Sequence, residues 1–118
     1  MQFNYKAPTG LMLGRFQPWH KGHRTLFERI LEKEGQVCIC IRDTQGTSTK
    51  DPLSPHDVAD RIHADLSTEF DGKYTVTILP NVTGVYYGRD VGYKVEQIKL
   101  DDAIEAISAT NIRKELAI

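Results

Sequence analysis

The segment Val37–Arg42 constrains the fold of this 118-residue chain more than any other segment. It is apolar at every position before its final arginine, and a strand of that kind is expected to be buried on both faces. Such strands are typical of parallel sheets that are covered by helices. Cys38 and Cys40 lie two residues apart and share one face of the strand. We expect them to be small core residues.

Strand and helix signals alternate on both sides of this segment. Apolar residues recur at helical spacing in two stretches, and the second has a clear start, with Ser54 as N-cap and Pro55 in the first helical position. Thr110 is the candidate N-cap of a short final helix. The predicted strands are 10–14, 37–42, 74–79, 85–87 and 93–98. The predicted helices are 22–33, a second that begins at Pro55 in a region ended by Gly72, and the short helix from about Thr110.

The order strand, helix, strand, helix, strand implies a parallel sheet with right-handed crossovers. We therefore expect one compact domain over residues 1–118, with a loose lead-in at 1–8. Its expected fold is a doubly wound, Rossmann-like α/β fold with five parallel strands and about three helices. Ligands of such folds bind beyond the C-terminal ends of the strands.

Charge and hydropathy exclude several classes of protein. The formal net charge is −1, which argues against a protein that coats nucleic acid or binds a membrane surface. No apolar run approaches the length of a membrane span, and the first residues lack the apolar core of a signal peptide. These observations predict a soluble, cytoplasmic protein that binds neither nucleic acid nor membranes.

The segment 14–23 places two histidines, an arginine and a lysine between a strand and a helix. Free backbone N–H groups and the helix dipole favour negative charge at such a junction. Gly22, between the histidines, lets the backbone approach a ligand closely. A His-x-Gly-His pattern alone is a weak signal, but its position here predicts a phosphate site.

The run Gly14-Arg15-Phe16-Gln17-Pro18-Trp19-His20-Lys21-Gly22-His23 resembles the first signature of the nucleotidyltransferases that carry a His-x-Gly-His motif. The run Ile107-Ser108-Ala109-Thr110-Asn111-Ile112-Arg113 resembles their second signature, Ile-Ser-x-Thr-x-x-Arg. The chain looks most similar to the archaeal-type nicotinamide mononucleotide adenylyltransferases, in a shortened form. Asp51-Pro52-Leu53-Ser54 also resembles their Asn-Pro-Phe-Thr.

The resemblance implies a reaction and assigns residues to it. A phosphorylated acceptor would attack the α-phosphorus of a nucleoside triphosphate, and pyrophosphate would leave. Mg²⁺ would be held mainly by the phosphates, with no protein ligand. The catalytic residues would be His20, His23 and Arg113, and the nucleotide and phosphate contacts would come from Gly14, Arg15, Phe16, Gln17, Lys21, Gly22, Gly88, Arg89, Asp90, Ile107, Ser108 and Thr110.

Three functions remain open at this point. The favoured one is adenylyl transfer from ATP to a phosphorylated small molecule that resembles nicotinamide mononucleotide. The first alternative is cytidylyl transfer from CTP to an alcohol or sugar phosphate. The second is a nucleotide-binding sensor without catalysis. The segment 88–90 has its own alternative, a plain turn.

The acceptor pocket is where the chain departs from the family pattern. The family carries helical segments between the third and fourth strands and after the fourth, and this chain lacks them. A subunit partner would be one replacement, so a homo-oligomer is an alternative to a monomer. Aromatic residues are another source of acceptor surface, although we expect most of them to be core or strand residues: Trp19, Tyr86, Tyr87 and Tyr93.

Overall fold

The computed structural model describes residues 2–44, 48–89, 92–107 and 112–114. Three strands and two long helices alternate along the first two thirds of the chain, as predicted. The elements are β1 Gly10–Gly14, α1 Lys21–Glu34, β2 Val37–Arg42, α2 Pro55–Phe70, β3 Tyr74–Leu79 and α3 Asp102–Glu105. The predicted bounds of the first three strands and the predicted start of α2 are confirmed, and α1 is one residue longer at each end.

The three strands form one parallel sheet in the order β1-β2-β3, with β2 in the centre. Gly14 pairs with Ile41, so the end of β1 lies beside the end of β2. Val37 pairs with Tyr74 at the other end of the sheet. The loops after β1 and β2 therefore leave from the same rim, where ligands are expected.

The prediction of five strands is wrong for the part of the chain that the structure describes. Residues 85–87 and 93–98 have the composition of strands, but the structure gives them no strand partner. A strand needs a neighbour for its backbone hydrogen bonds, whereas composition is purely local. Two ion pairs instead tie the second segment to α1, from Lys33 to Glu96 at 3.0 Å and from Lys94 to Glu34 at 3.6 Å.

Both long helices pack on one face of the sheet. A β-carbon on Gly10 would clash with the side chain of Ile30 of α1, and ion pairs join α1 to α2. In the described residues no helix covers the other face, so the doubly wound arrangement is not observed. The buried core contains residues from the sheet and both helices, among them Met12, Phe27, Val37, Ile39, Ile41, Val58, Ile62, Leu66 and Tyr74.

The uncovered face carries the two cysteines. Cys40 is buried as expected, whereas Cys38, on the same face of β2, is half-buried. Both thiols are free, with their sulfur atoms 3.6 Å apart. Burial raises the pKa of the Cys40 thiol to about 12, and a hydrogen bond with Cys38 adds to this rise. The Cys40 thiol is therefore protonated at neutral pH.

No helix within the described ranges is long and apolar enough to span a bilayer.

At the N-terminal rim of the sheet, the amide of Gln36 donates to Asn4, Ala7 and Thr9. Gln36 is buried, and it lies at the opposite end of the strands from the 14–23 motif.

Candidate active site

The loop after β1 folds back over the end of the strand. Phe16 has a positive φ of 53°, a backbone conformation that is uncommon outside glycine. Its buried ring lies against Gly14, where a β-carbon would come within 2.8 Å of the ring. Gly14 is therefore needed for this turn. Phe16 also packs edge-to-face on His23, with ring centroids 4.9 Å apart.

His20 and His23 cap the N-terminus of α1 together. His20 is the N-cap residue, and its Nδ1 accepts a hydrogen bond from the backbone N–H of Gly22 at 3.0 Å. The backbone N–H of His20 donates in turn to Nδ1 of His23 at 3.2 Å. A nitrogen that accepts a hydrogen bond carries no proton, so each neutral ring has its proton on Nε2. The two rings stack with centroids 3.8 Å apart.

Both histidines are neutral at neutral pH. Burial and, to a lesser extent, the electrostatic effect of the nearby His20 lower the pKa of His23 to about 3. Burial also lowers the pKa of His20. Each ring is therefore a hydrogen-bond donor for a phosphate oxygen but brings no positive charge.

Gly22 makes room for this arrangement. A β-carbon there would lie 2.8 Å from Cε1 of His20 and 3.1 Å from its Nδ1. The same point is 3.6 Å from the backbone oxygen of Ile104 in α3. The glycine of the motif thus lets the His20 ring lie directly over the first turn of α1.

Positive charge comes to the loop from two separate parts of the chain. Arg15 forms an ion pair with Asp51 at 3.1 Å. Nη1 of Arg113 donates to the backbone oxygen of Gln17 at 2.6 Å, across a sequence separation of 96 residues. Lys21 is exposed at the first position of α1. The structure therefore brings the arginine of the second signature to the first signature, as the resemblance implied.

The side chain of Gln17 is buried, and both polar atoms of its amide form hydrogen bonds with the backbone of Leu53. Its Nε2 donates to the Leu53 oxygen, and its Oε1 accepts from the Leu53 nitrogen, both at 2.9 Å. Sequence reasoning did not assign roles to Asp51 and Leu53. The signal that pointed to them was the resemblance of 51–54 to a family pattern.

Trp19 connects the loop to α2. Its indole N–H donates to Asp65 at 2.8 Å, and Arg24 pairs with Asp65 at 2.9 Å and with Glu69 at 2.8 Å. Nothing in the sequence around Asp65 pointed to these bonds, because they join residues more than 40 positions apart. An open groove of about 580 Å³ lies beside His20, lined by Trp19, His20, Lys21, Arg24, Arg61, Ala64 and Asp65.

The remaining predicted contacts are only partly located. Ile107 follows α3, where it donates to the Ile104 oxygen at 3.1 Å. Gly88 and Arg89 are exposed, and within the described ranges no hydrogen bond or ion pair joins them to the motif. Residues 112–114 are helical. The other predicted residues lie outside the described part of the chain: Asp90, Ser108 and Thr110.

The expectation that most of the aromatic residues are core or strand residues is wrong for the three tyrosines. Tyr86, Tyr87 and Tyr93 are 93%, 62% and 70% exposed, whereas Trp19 is buried. The tyrosines are exposed because the segments 85–87 and 93–98, in which they lie, are not strands of the sheet.

The described residues contain no group of three or more histidine, cysteine, aspartate or glutamate side chains that could hold a metal ion. The strand–loop–helix junction with cations beside it has the arrangement that is typical of anion sites in α/β proteins. Residues 11–65 match the model of the cytidylyltransferase-like family. The resemblance to the nucleotidyltransferases is therefore confirmed.

Individual relatives are nicotinamide-nucleotide adenylyltransferases. The chain is 35% identical to that of Pyrococcus horikoshii over 75 residues, which cover 62% of this chain and 40% of the relative. It is 36% identical to that of Picrophilus torridus over 72 residues, which cover 58% of this chain and 40% of the relative. The matched part thus spans about 40% of the length of these curated relatives.

A solved adenylyltransferase structure also matches this chain. It is a bifunctional NMN adenylyltransferase/ADP-ribose pyrophosphatase from Francisella tularensis, complexed with AMP and a manganese ion. It is 32% identical to this chain, with a TM-score of 0.52. The match covers 63% of this chain and 22% of the bifunctional protein. The likeness extends to the fold of the matched part.

Proposed function

We propose that this chain is a nucleotidyltransferase that moves an adenylyl group from ATP to a phosphorylated small molecule of the nicotinamide mononucleotide type. The observation that carries this proposal is the hydrogen bond from Arg113 to the Gln17 oxygen. That bond joins the two signatures at the N-terminus of α1. The first signature supplies the neutral donors and two of the cations, and the second signature adds the cation Arg113.

In the proposed reaction, an oxygen of the acceptor phosphate attacks the α-phosphorus of ATP. A new P–O bond forms, the bond between the α-phosphorus and its bridging oxygen breaks, and pyrophosphate leaves with that oxygen. Such reactions need positioning and charge stabilisation more than covalent chemistry. The protein requires no covalent intermediate.

The described residues divide the work between donors and cations. His20 and His23 are neutral, so they act through Nε2–H donation to phosphate oxygens. The positive charge comes from Arg15, Lys21 and Arg113. The histidines thus stay neutral, while the cations attract the triphosphate.

We propose that Mg²⁺ enters with the nucleotide and neutralises the charge of its phosphates. Magnesium is commonly bound through substrate phosphates, waters and only one or two carboxylates. Among the described residues, the carboxylates near the motif, Asp51 and Asp65, are paired with Arg15 and Arg24, which fits an ion held mainly by the phosphates. A solved neighbour was likewise complexed with AMP and a divalent cation, manganese.

The relatives support adenylyl over cytidylyl transfer, because their names specify nicotinamide-nucleotide adenylyltransferase. The family model carries the cytidylyl name, so CTP is the competing donor. The acceptor and the oligomeric state stay predictions, since the chain matches only part of each relative.

The test is a measurement of pyrophosphate release. The protein is incubated with Mg²⁺, each of the four ribonucleoside triphosphates in turn, and a panel of phosphorylated acceptors that includes nicotinamide mononucleotide. We expect release with ATP and nicotinamide mononucleotide. Release with CTP alone would contradict adenylyl transfer, and tight ATP binding without release for any acceptor would favour the sensor.

A further inference from the structure

The amide of Gln17 pairs with the backbone of Leu53 as one peptide group pairs with another. Donor and acceptor both lie 2.9 Å from their partners, and the side chain is only 5% exposed. A buried amide that gave up both bonds to reach a ligand would leave the N–H and C=O groups of Leu53 unsatisfied. Each such group would carry the full desolvation penalty of an unpaired buried polar group. Gln17 is therefore poorly suited to contact phosphate through its side chain.

The same residue fixes two further segments. Its backbone oxygen accepts from Arg113, which comes from the C-terminal part of the chain. Leu53 lies between Asp51, the partner of Arg15, and Ser54, the N-cap of α2. One residue thus holds together the loop after β1, the segment before α2 and the arginine of the second signature.

We propose that Gln17 is a positioning residue that holds Arg113 and the Arg15–Asp51 pair in register with the two histidines. The proposal rests on the proposed function, in that these cations bind a triphosphate. The resemblance implied a phosphate contact for Gln17, and the geometry assigns it instead to the support of the groups that make such contacts.

Glutamate has almost the same shape as glutamine, so a glutamate at position 17 tests the pairing with the Leu53 backbone. One carboxylate oxygen can still accept from the Leu53 nitrogen, but the other would face the Leu53 oxygen, and two acceptors repel. A protonated carboxyl restores the lost donor. The variant Gln17→Glu should therefore regain the pairing as the pH falls, whereas Gln17→Met lacks both bonds at every pH.

Other titrating groups near Gln17 do not reproduce this behaviour. Its charged neighbours are Arg113 on its oxygen and the Arg15–Asp51 pair on the flanking segments. Across the loop stand the stacked histidines of α1 and, from α2, Asp65 on the Trp19 indole. All of these are present in the wild type, so the wild-type value at each pH is the reference.

Gln36 provides the matched control. It is buried to the same degree, at 6% exposed, and its amide also bonds to backbone oxygens. It lies at the opposite rim of the sheet. Gln36→Glu therefore introduces the same chemistry away from the candidate site.

The experiment measures two quantities at about pH 7.5 and pH 5.5 for the wild type and the three variants. The first is the hydrogen-exchange rate of the Leu53 amide by NMR, normalised for pH, which needs no nucleotide. The second is the Kd for ATP with Mg²⁺ and no acceptor. At the higher pH we expect Gln17→Glu and Gln17→Met to exchange faster at Leu53 and to bind ATP about tenfold more weakly. At the lower pH only Gln17→Glu should recover.

Gln36→Glu should match the wild type in both quantities at both pH values. Two results would overturn the proposal: an unchanged Leu53 exchange rate in both Gln17 variants, or faster exchange with an unchanged Kd for ATP. Failure of the wild type to bind any triphosphate would instead overturn the proposed function. The exchange rates would still decide whether Gln17 holds Leu53.

Discussion

Nδ1 of His23 accepts a hydrogen bond from the backbone N–H of His20, and Nδ1 of His20 accepts one from the backbone N–H of Gly22 in the first turn of α1. The two rings stack with centroids 3.8 Å apart. This reciprocal cap uses two imidazoles where helices commonly use Ser, Thr, Asp or Asn with a Glu or Gln. Protonating either Nδ1 would break its capping bond. The cap and the chemistry of the site therefore depend on the same neutral rings.

The substitution His23→Ala should lower turnover far more than ATP affinity. The Nε2–H of His23 is assigned to the phosphoryl oxygens, where charge develops in the transition state, and removal of such a donor costs about 100- to 1,000-fold in kcat. We expect kcat to fall by about that factor in a steady-state assay, with a much smaller change in the Kd for ATP.

The exposed His56 of α2 is the control for that substitution. His56→Ala should retain wild-type kcat and Kd. Equal losses of turnover and affinity in His23→Ala would contradict a role in the transition state.

Stability should fall as the pH drops below about 6.5, because His23 resists protonation in the folded state. The pKa of an unfolded histidine is about 6.5, whereas that of folded His23 is about 3. Between these values the unfolded chain binds the extra proton, so acidification favours unfolding, by at most about 1.4 kcal/mol per pH unit. Above the unfolded pKa the effect vanishes.

Urea unfolding between about pH 7 and pH 4 measures this dependence. His23→Gln removes the titrating group, so its free energy of unfolding should change less with pH than that of the wild type. The lowered pKa of His20 acts in the same direction and remains in the variant. Identical pH profiles for the two proteins would show that His23 does not resist protonation.

The substitution Gly22→Ala should displace His20 without unfolding the chain. The new β-carbon would lie 2.8 Å from Cε1 of the His20 ring, which must move. Overpacking of this kind costs about 1–3 kcal/mol, and a small misplacement of a reacting group can cost about 100-fold in rate. A folded variant with wild-type kcat, as judged by circular dichroism and the steady-state assay, would argue against the need for this ring position.

Arg24→Met should weaken the contact between α1 and α2. Arg24 pairs with Asp65 and Glu69, and its guanidinium lies 5.4 Å from the centre of the Phe70 ring. Because these partners are partly exposed, we expect a loss of about 1–2 kcal/mol in free energy of unfolding, smaller at about 1 M salt.

Arg61→Met is the control for this loss. Arg61 is an exposed arginine of α2, for which the described residues show no ion pair. It should change stability by less than about 0.5 kcal/mol. Equal losses at low and high salt in Arg24→Met would contradict an electrostatic origin.

Local signals predicted the bounds of β1, β2 and β3 and the start of α2, because caps and apolar spacing act over a few positions. The same logic failed at 85–87 and 93–98. Tyr86 and Tyr93 have strand propensity, but a strand exists only where another strand accepts its hydrogen bonds, and no local pattern reports that. Both tyrosines are exposed.

The candidate site divides in the same way. The two signatures pointed to His20, His23 and Arg113, and the structure brings these residues to one loop. The pairing of Gln17 with Leu53 and that of Trp19 with Asp65 could not be predicted. Each joins residues that are distant in sequence, and each depends on how the loop after β1 packs on α2.

The central claim is that the joined signatures transfer an adenylyl group. The most direct test uses ATP labelled at the α-phosphate, with Mg²⁺ and nicotinamide mononucleotide, and follows the label and pyrophosphate together. We predict one pyrophosphate for each label joined to the acceptor, with both products lost in His23→Ala. Label that remains in ATP while the protein binds it, or label transferred only from CTP, would contradict the claim.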